Sequence, residues 1–200
     1  MKEYKKSFLT MRRAIGIIGI LFPIILLVGN LIISGKVEIS MSAHYNTGMR
    51  DVFVGLLFTI GFFLFAYPGP DIIDNVLCKL CLLFAIGAAV FPIGATTAKD
   101  IIHCVSAGLL FATMSYISIC LFTKTDKDVI SKEKKKRNLV YIICGILMLV
   151  FLALVGLSKF FKEAKLNYKL VLIFEALLLW AFGVAWIVKG QILLKDKENS

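Results

Sequence analysis

Six stretches of about twenty residues, each nearly free of charge, follow one another along the chain, and charged or turn-forming residues separate them. A bilayer core about 30 Å thick is crossed by roughly twenty apolar residues of helix. The pattern therefore predicts an all-α fold, a polytopic membrane protein built as a six-transmembrane-helix bundle in one integral membrane domain, residues 1–200. The predicted spans are 14–34, 51–67, 76–97, 100–122, 139–157 and 170–190.

Three local signals add detail to these spans. The first span follows a basic lead, but its apolar run exceeds the roughly seven to fifteen residues of a signal peptide, so we expect an uncleaved anchor. Pro92 lies within the third predicted span and lacks a helical donor, which predicts a kink there. The fourth span carries a strip of small residues, which predicts close packing against neighbouring helices. The strip is Cys104, Gly108, Ala112 and Ser115.

Composition and charge agree with a membrane location, since 59% of the residues are hydrophobic and the mean hydropathy is +0.87. The net charge of +10 would suggest nucleic acid as a partner of a soluble protein, but here the basic residues lie in short loops. Fifteen Lys and Arg residues fall on the side that carries both termini, and seven on the other. The positive-inside rule then places both termini in the cytoplasm. We expect membrane lipids, and no nucleic acid, as partners.

Polar side chains concentrate at the predicted outer ends of the spans, where burial in hydrocarbon is costly. They include both histidines of the chain. The set is Asn30, Ser40, His44, Arg50, Asp51, Asp100, His103 and Glu175. It predicts an outward-facing polar pocket that binds or passes a lipid or small solute. A structural ion-pair network that fixes helix packing is the competing interpretation.

Two parts of this set carry specific predictions. Glu175 lies about five residues, or ~8 Å, into the last span. We expect it to face the bundle interior, to line the same pocket as His103, and to pair with His103 or Arg50. We also expect at least one interhelical salt bridge from Arg50 or Asp51. Its partner would be Glu175 or Asp100 for Arg50, and His103 for Asp51.

The outer loop contributes to the same pocket if it is helical. A helix over residues 40–51 would place Ser40, His44, Thr47 and Asp51 on one face, at steps of four, three and four residues. Asp100 and His103 would likewise share a face.

Residues 40–55, Ser-Met-Ser-Ala-His-Tyr-Asn-Thr-Gly-Met-Arg-Asp-Val-Phe-Val-Gly, resemble the signature segment of a bacterial multi-pass membrane protein family of unknown function. Later parts are similar to the same family: Asp74-Asn75, the stretch 84–92, His103 and the stretch 118–124. The resemblance covers about residues 40–124. It implies a six-span protein of the bacterial cytoplasmic (inner) membrane and no particular activity.

Ser40-x3-His44 followed by Asp51 resembles half of the motif of the alkaline ceramidase and adiponectin-receptor hydrolase superfamily. In that superfamily, histidines hold a zinc ion that activates water against a lipid amide or ester. The second half of the motif is a His-x3-His pair, whereas this chain has His103 followed by Ala107. The resemblance implies a metal-dependent lipid amide or ester hydrolase as an alternative function. Its candidate metal ligands are His44, Asp51 and His103.

Two further chemistries are alternatives to a ligand-binding pocket. Haem between His44 and His103 would need both side chains to project from within helices, and His44 precedes its predicted helix. Cys78 and Cys81 have the spacing of a redox motif, but no loop contains cysteine, so we expect buried apolar residues. The favoured interpretation is thus a non-enzymatic membrane protein without a cofactor. A non-catalytic subunit of a membrane complex is a third interpretation, and the sequence carries no signal for an oligomeric state.

Overall fold

The computed structural model of the protein describes residues 2–67, 69, 71–125, 130–160 and 169–195. These residues form six α-helices and contain no strand. The helices are α1 (Lys2–Ser34), α2 (Arg50–Ala66), α3 (Ile72–Val90), α4 (Thr97–Tyr116), α5 (Lys132–Phe160) and α6 (Lys169–Lys189). A short 3-10 helix, Ser42–Asn46, lies between α1 and α2, and a π-helical turn, Ile117–Leu121, extends α4.

Five of the helices, α1 and α3 to α6, are long and apolar enough to cross a membrane by their length and composition. The prediction of an all-helical fold with membrane-type helices is confirmed to that extent. The remaining helix, α2, is comparably apolar but has 17 residues. That number corresponds to a length of about 25 Å.

The six helices form a closed ring. Each helix packs against its neighbour in sequence, and α6 packs against α1 to complete the ring. Short connections make consecutive helices antiparallel, so α1, α3 and α5 finish where α2, α4 and α6 begin. We call this end of the ring the loop end, because it carries the connection 35–49, and the opposite end the basic end.

Glycines let the backbones of α1 and α6 meet, as in many membrane helix pairs. A Cβ atom added at Gly16 would lie 2.6 Å from the backbone nitrogen of Ile187. A Cβ atom added at Gly183 would lie 2.8 Å from the backbone nitrogen of Ile20. The indole N–H of Trp180 also donates to the carbonyl oxygen of Ile20 at 3.1 Å. This contact fixes the position of α6, the helix that carries Glu175.

Four buried aromatic side chains close the basic end, and we call them the aromatic cluster: Tyr67, Phe122, Tyr141 and Trp186. The ring centroid of Trp186 lies 5.2 Å from that of Tyr67 and 5.0 Å from that of Phe122, and the rings of Phe122 and Tyr141 are 5.3 Å apart. The ammonium group of Lys189 lies 4.5 Å from the centroid of Phe122, where the ring attracts its charge. The interior of the ring is filled at this end.

The predicted kink at Pro92 is wrong. α3 ends at Val90, and Pro92 follows it in the connection to α4. Phe91 has an extended backbone, with φ −96° and ψ 106°, which is the conformation that a following proline favours. Because the helix ends here, the carbonyl oxygen of Phe91 can accept a hydrogen bond from another helix.

Candidate binding site

A cavity of about 300 Å³ lies inside the ring, in the half nearest the loop end. All six helices and the connection 35–49 contribute to its wall. Most of the wall is apolar, as in typical ligand pockets. The apolar part includes Phe22, Leu57, Leu110, Phe111, Leu152 and Leu179. The polar side chains on the wall are Ser42, His103 and Glu175, and Cys104 adds a thiol.

Glu175 lies on α6, six residues after the helix begins at Lys169, or about 9 Å along its axis. Its half-buried side chain lies on the cavity wall. The carboxylate Oε2 accepts a hydrogen bond from the backbone N–H of the buried residue Met41 at 2.5 Å. The carboxylate therefore fastens the connection 35–49 to α6 and also makes one side of the cavity polar.

His103 lies on α4 and is 5% exposed. Its Nδ1 atom is 2.9 Å from the carbonyl oxygen of Phe91 at the end of α3. A carbonyl oxygen can only accept, so Nδ1 carries the hydrogen and donates it. The structure places His103 and Glu175 on the wall of one cavity, which is the arrangement that their positions in the sequence predict.

The connection 35–49, which we call the roof loop, closes the cavity at the loop end. Met41 and Ser42 lie on the cavity wall, and both are buried together with His44 and Met49. The side chain of Met49 occupies the space that Gly29 leaves on α1. A side chain at position 29 would displace it.

Hydrogen bonds attach the roof loop to the surrounding elements. The side-chain amide of Asn46 donates to the carbonyl oxygen of Ile93 at 2.9 Å, which ties the loop to the connection between α3 and α4. The side-chain amide of Asn30 on α1 donates to the carbonyl oxygen of Lys36 at 3.0 Å. With the bond to Glu175, these contacts hold the roof loop across the end of the ring.

Two predicted site residues, Ser40 and His44, shape the roof loop and do not reach the cavity. His44 is 0% exposed, and its Nδ1 lies 3.2 Å from the carbonyl oxygen of Ser40 and 3.1 Å from that of Met41. The Ser40 hydroxyl accepts from the backbone N–H of Ala43 at 3.0 Å and lies 3.1 Å from the hydroxyl of Ser42. Ser42, which was not among the predicted residues, lines the cavity instead.

The predicted helical face over residues 40–51 is wrong. The 3-10 helix covers only Ser42–Asn46, and Thr47 is extended, with φ −122° and ψ 178°, before α2 begins at Arg50. Such 3-10 segments seldom exceed about one turn. As a result His44 is buried and Asp51 is exposed, and the two side chains do not share a face.

The predicted interhelical salt bridge is also wrong within the described part of the chain. Arg50 is exposed, lies with its guanidinium carbon 4.7 Å from the ring centroid of Tyr45, and donates to the hydroxyl of that residue at 3.0 Å. Asp51 is exposed and has no described cation within salt-bridge distance. Asp100 accepts from the backbone N–H of Gly94 at 2.8 Å. Charges at the surface are solvated by water, so they do not require an ionic partner.

Among the described residues, no three His, Cys, Asp or Glu side chains are grouped closely enough to hold a metal ion. In particular, His44, Asp51 and His103, the candidates from the hydrolase resemblance, do not form such a set. Cys78 and Cys81 are free thiols that are buried in α3. They fill space in the helix ring, as expected from the sequence.

The small-residue strip of α4 has two different roles. Ser115 packs closely, as predicted, because its hydroxyl donates to the carbonyl oxygen of Gly145 on α5 at 2.6 Å. Gly108 borders open space and does not pack closely. A Cβ atom added there would have no neighbour within 4 Å, and the residue lines the cavity. Gly156 on α5 has the same property. A glycine in a span signals either close packing or open space, and the sequence alone does not distinguish the two.

No protein-family model, curated protein or solved structure matches this chain. The function of the cavity has to be inferred from its geometry.

Proposed function

We propose that the protein is a six-span integral protein of the bacterial cytoplasmic membrane, with both termini in the cytoplasm, that binds or passes an amphiphilic lipid or small solute in the cavity of the ring. The observation that carries this proposal is a cavity wall that is apolar apart from a few groups, chiefly Ser42, His103 and Glu175. Apolar walls stabilise a hydrocarbon group by removing it from water, and a small number of polar groups orient the rest of a ligand. Binding of this kind needs no cofactor.

Polarity within the cavity changes with depth. Glu175 is bonded to Met41 of the roof loop, so the polar wall lies at the loop end. One helical turn deeper, α6 contributes Leu179, and two turns below His103, α4 contributes Phe111. We infer that a bound amphiphile has its head group under the roof loop and its chain toward the aromatic cluster.

The ring favours α2 as the sixth span. α2 packs between α1 and α3, which are both long and apolar enough to cross a membrane. Its length of about 25 Å is short for a span, and local thinning of the bilayer accommodates such a helix at modest cost. The excess of Lys and Arg at the basic end favours a cytoplasmic location for that end and for both termini.

The proposal is tested by thermal unfolding in lipid nanodiscs, with and without dodecanol as a single-chain amphiphile. Ala107→Phe would fill part of the cavity, and Ala112→Phe is its matched control: both alanines are half-buried on α4, and Ala107 lies on the cavity wall whereas Ala112 does not. A ligand whose free concentration is about 100 times its Kd raises the free energy of unfolding of the protein by ~2.7 kcal/mol. For a chain of this length, that change raises the Tm by roughly 5–10 °C.

We expect this rise for the parent and for Ala112→Phe, and little or none for Ala107→Phe. Equal shifts in the two variants, or no shift in the parent, would contradict binding in this cavity.

A further inference from the structure

The wall residues of the cavity are buried on α1, α2 and α3, whereas most of those on α4 and α5 are partly exposed. Every wall residue on α1, α2 and α3 is buried. The wall residues of α5 and most of those on α4 keep part of their surface accessible, among them Gly108, Phe111 and Val155. Gly156 both lines the cavity and is exposed at the surface. The opening of the cavity therefore faces the α4–α5 side of the ring.

α4 and α5 touch at the basic end and separate toward the loop end. Besides the contact of Ser115 described above, the hydroxyl of Ser118 donates to the carbonyl oxygen of Tyr141 at 2.9 Å, so the two backbones are in contact there. Nearer the loop end, a Cβ atom added at Gly108 or at Gly156 would have no neighbour within 4 Å, so we infer that the two helices diverge there. We call the resulting wedge the α4–α5 gap.

The surface around the α4–α5 gap is apolar. α4 exposes Ile101, Val105 and Leu109, and α5 exposes Leu157. A surface of this kind is suited to the hydrocarbon core of a bilayer and not to water. Among the residues that the structure describes, the ends of the ring offer no comparable path, because the roof loop covers one end and the aromatic cluster fills the other. The gap thus connects the cavity with the lipid phase.

We propose that the cavity is filled sideways from the bilayer, through the α4–α5 gap, by a single-chain amphiphile whose head group is uncharged or cationic. This inference rests on the proposed binding function. A volume of about 300 Å³ lies at the lower limit for ligand pockets, which suits one hydrocarbon chain and not two. The Oε2 atom of Glu175 acts as a hydrogen-bond acceptor toward Met41, so it disfavours a head group that can only accept, such as a carboxylate. The hydroxyl of Ser42 offers hydrogen bonds to an alcohol or an amine. The ligand class is therefore a long-chain alcohol, amine or monoacyl ester.

The test measures how fast a probe reaches the cavity from the bilayer. A photoreactive, clickable long-chain alcohol is added to preformed proteoliposomes that contain the full chain, and labelling of cavity-lining peptides is followed over time by mass spectrometry. Gly156→Leu places a side chain in the gap, and Gly156→Ala is the smaller step. Gly55→Leu is the matched control, because Gly55 is exposed on α2, has open space around it and lies away from the cavity.

We expect Gly156→Leu to slow labelling by about tenfold or more, measured as the rate at which each protein approaches its own final extent of labelling. Gly156→Ala should cause a smaller delay, and Gly55→Leu should match the parent. If cavity peptides of the parent are never labelled, the proposed binding function fails. If they are labelled, but Gly156→Leu loads as fast as Gly55→Leu or reaches a lower final extent without delay, the gap is not the entrance.

A second probe tests the head group. The same chain with a carboxylate in place of the alcohol should label the cavity more slowly and less completely. Equal labelling by the two probes would overturn the assignment of an uncharged or cationic head group, and it would leave the route of entry to be decided by the Gly156 variants.

Discussion

Glu175 combines a structural contact and a ligand-facing surface in one side chain. A carboxylate within an apolar helix needs partners, because burial without hydrogen bonds is costly. The sequence indicated Arg50 or His103 for this purpose, and the structure adds the backbone N–H of Met41. A backbone donor cannot be identified from residue types, since it depends on how the roof loop folds. Arg50 lies in solvent against Tyr45.

Two substitutions at Glu175 test its hydrogen bond to the backbone N–H of Met41. Glu175→Gln keeps an acceptor for the N–H of Met41, so we expect nearly parental stability. Glu175→Leu removes the acceptor and leaves a buried donor unpaired, which costs about 1–3 kcal/mol. At roughly 2–4 °C per kcal/mol, the Tm should fall by several degrees in a thermal unfolding experiment. A Leu variant as stable as the Gln variant would show that the contact with Met41 does not hold the roof loop.

At the level of elements, the helices were easier to predict than their connections. The backbone of a long apolar run can be satisfied in a bilayer only as a helix or in a barrel, so the apolar runs by themselves indicate where the six helices lie. The connections follow local rules that override periodicity. Pro92 ends α3 early through its effect on Phe91, and the 3-10 helix Ser42–Asn46 turns His44 inward while Asp51 faces out.

The short helix α2 is the element whose role as a span needs a direct test. Val37 in the roof loop is 56% exposed, and Ile72 at the start of α3 is 82% exposed, so cysteines at these positions are accessible. If α2 spans, a membrane-impermeant maleimide should label Val37→Cys in intact cells and Ile72→Cys only after permeabilisation. The parent chain, whose five cysteines lie within helices or the π-helical turn, is the control.

Labelling of both variants in intact cells, or of both only after permeabilisation, would remove α2 as a span. Labelling in the reverse order would place the roof loop on the cytoplasmic side. Reporter fusions near Glu133 provide an independent reference, since that position should be cytoplasmic.

For the whole molecule, the ring explains why the site could be predicted only in part. Polar residues at helix ends on one side of a bundle lie near one another, so the location of His103 and Glu175 on the wall of one cavity could be expected from their positions. The α4–α5 gap did not follow, because it depends on how far two helices diverge. Gly108 and Gly156 mark the gap, yet glycines such as Gly16 and Gly183 mark the tightest contact in the same ring.

The most direct test of the central claim, that the ring encloses a binding site for an amphiphile, is native mass spectrometry of the protein taken from its own membrane. We predict one single-chain lipid bound per copy of the parent and of Ala112→Phe, and loss of that lipid from Ala107→Phe. A parent protein without bound lipid, or the same occupancy in Ala107→Phe as in Ala112→Phe, would contradict the account.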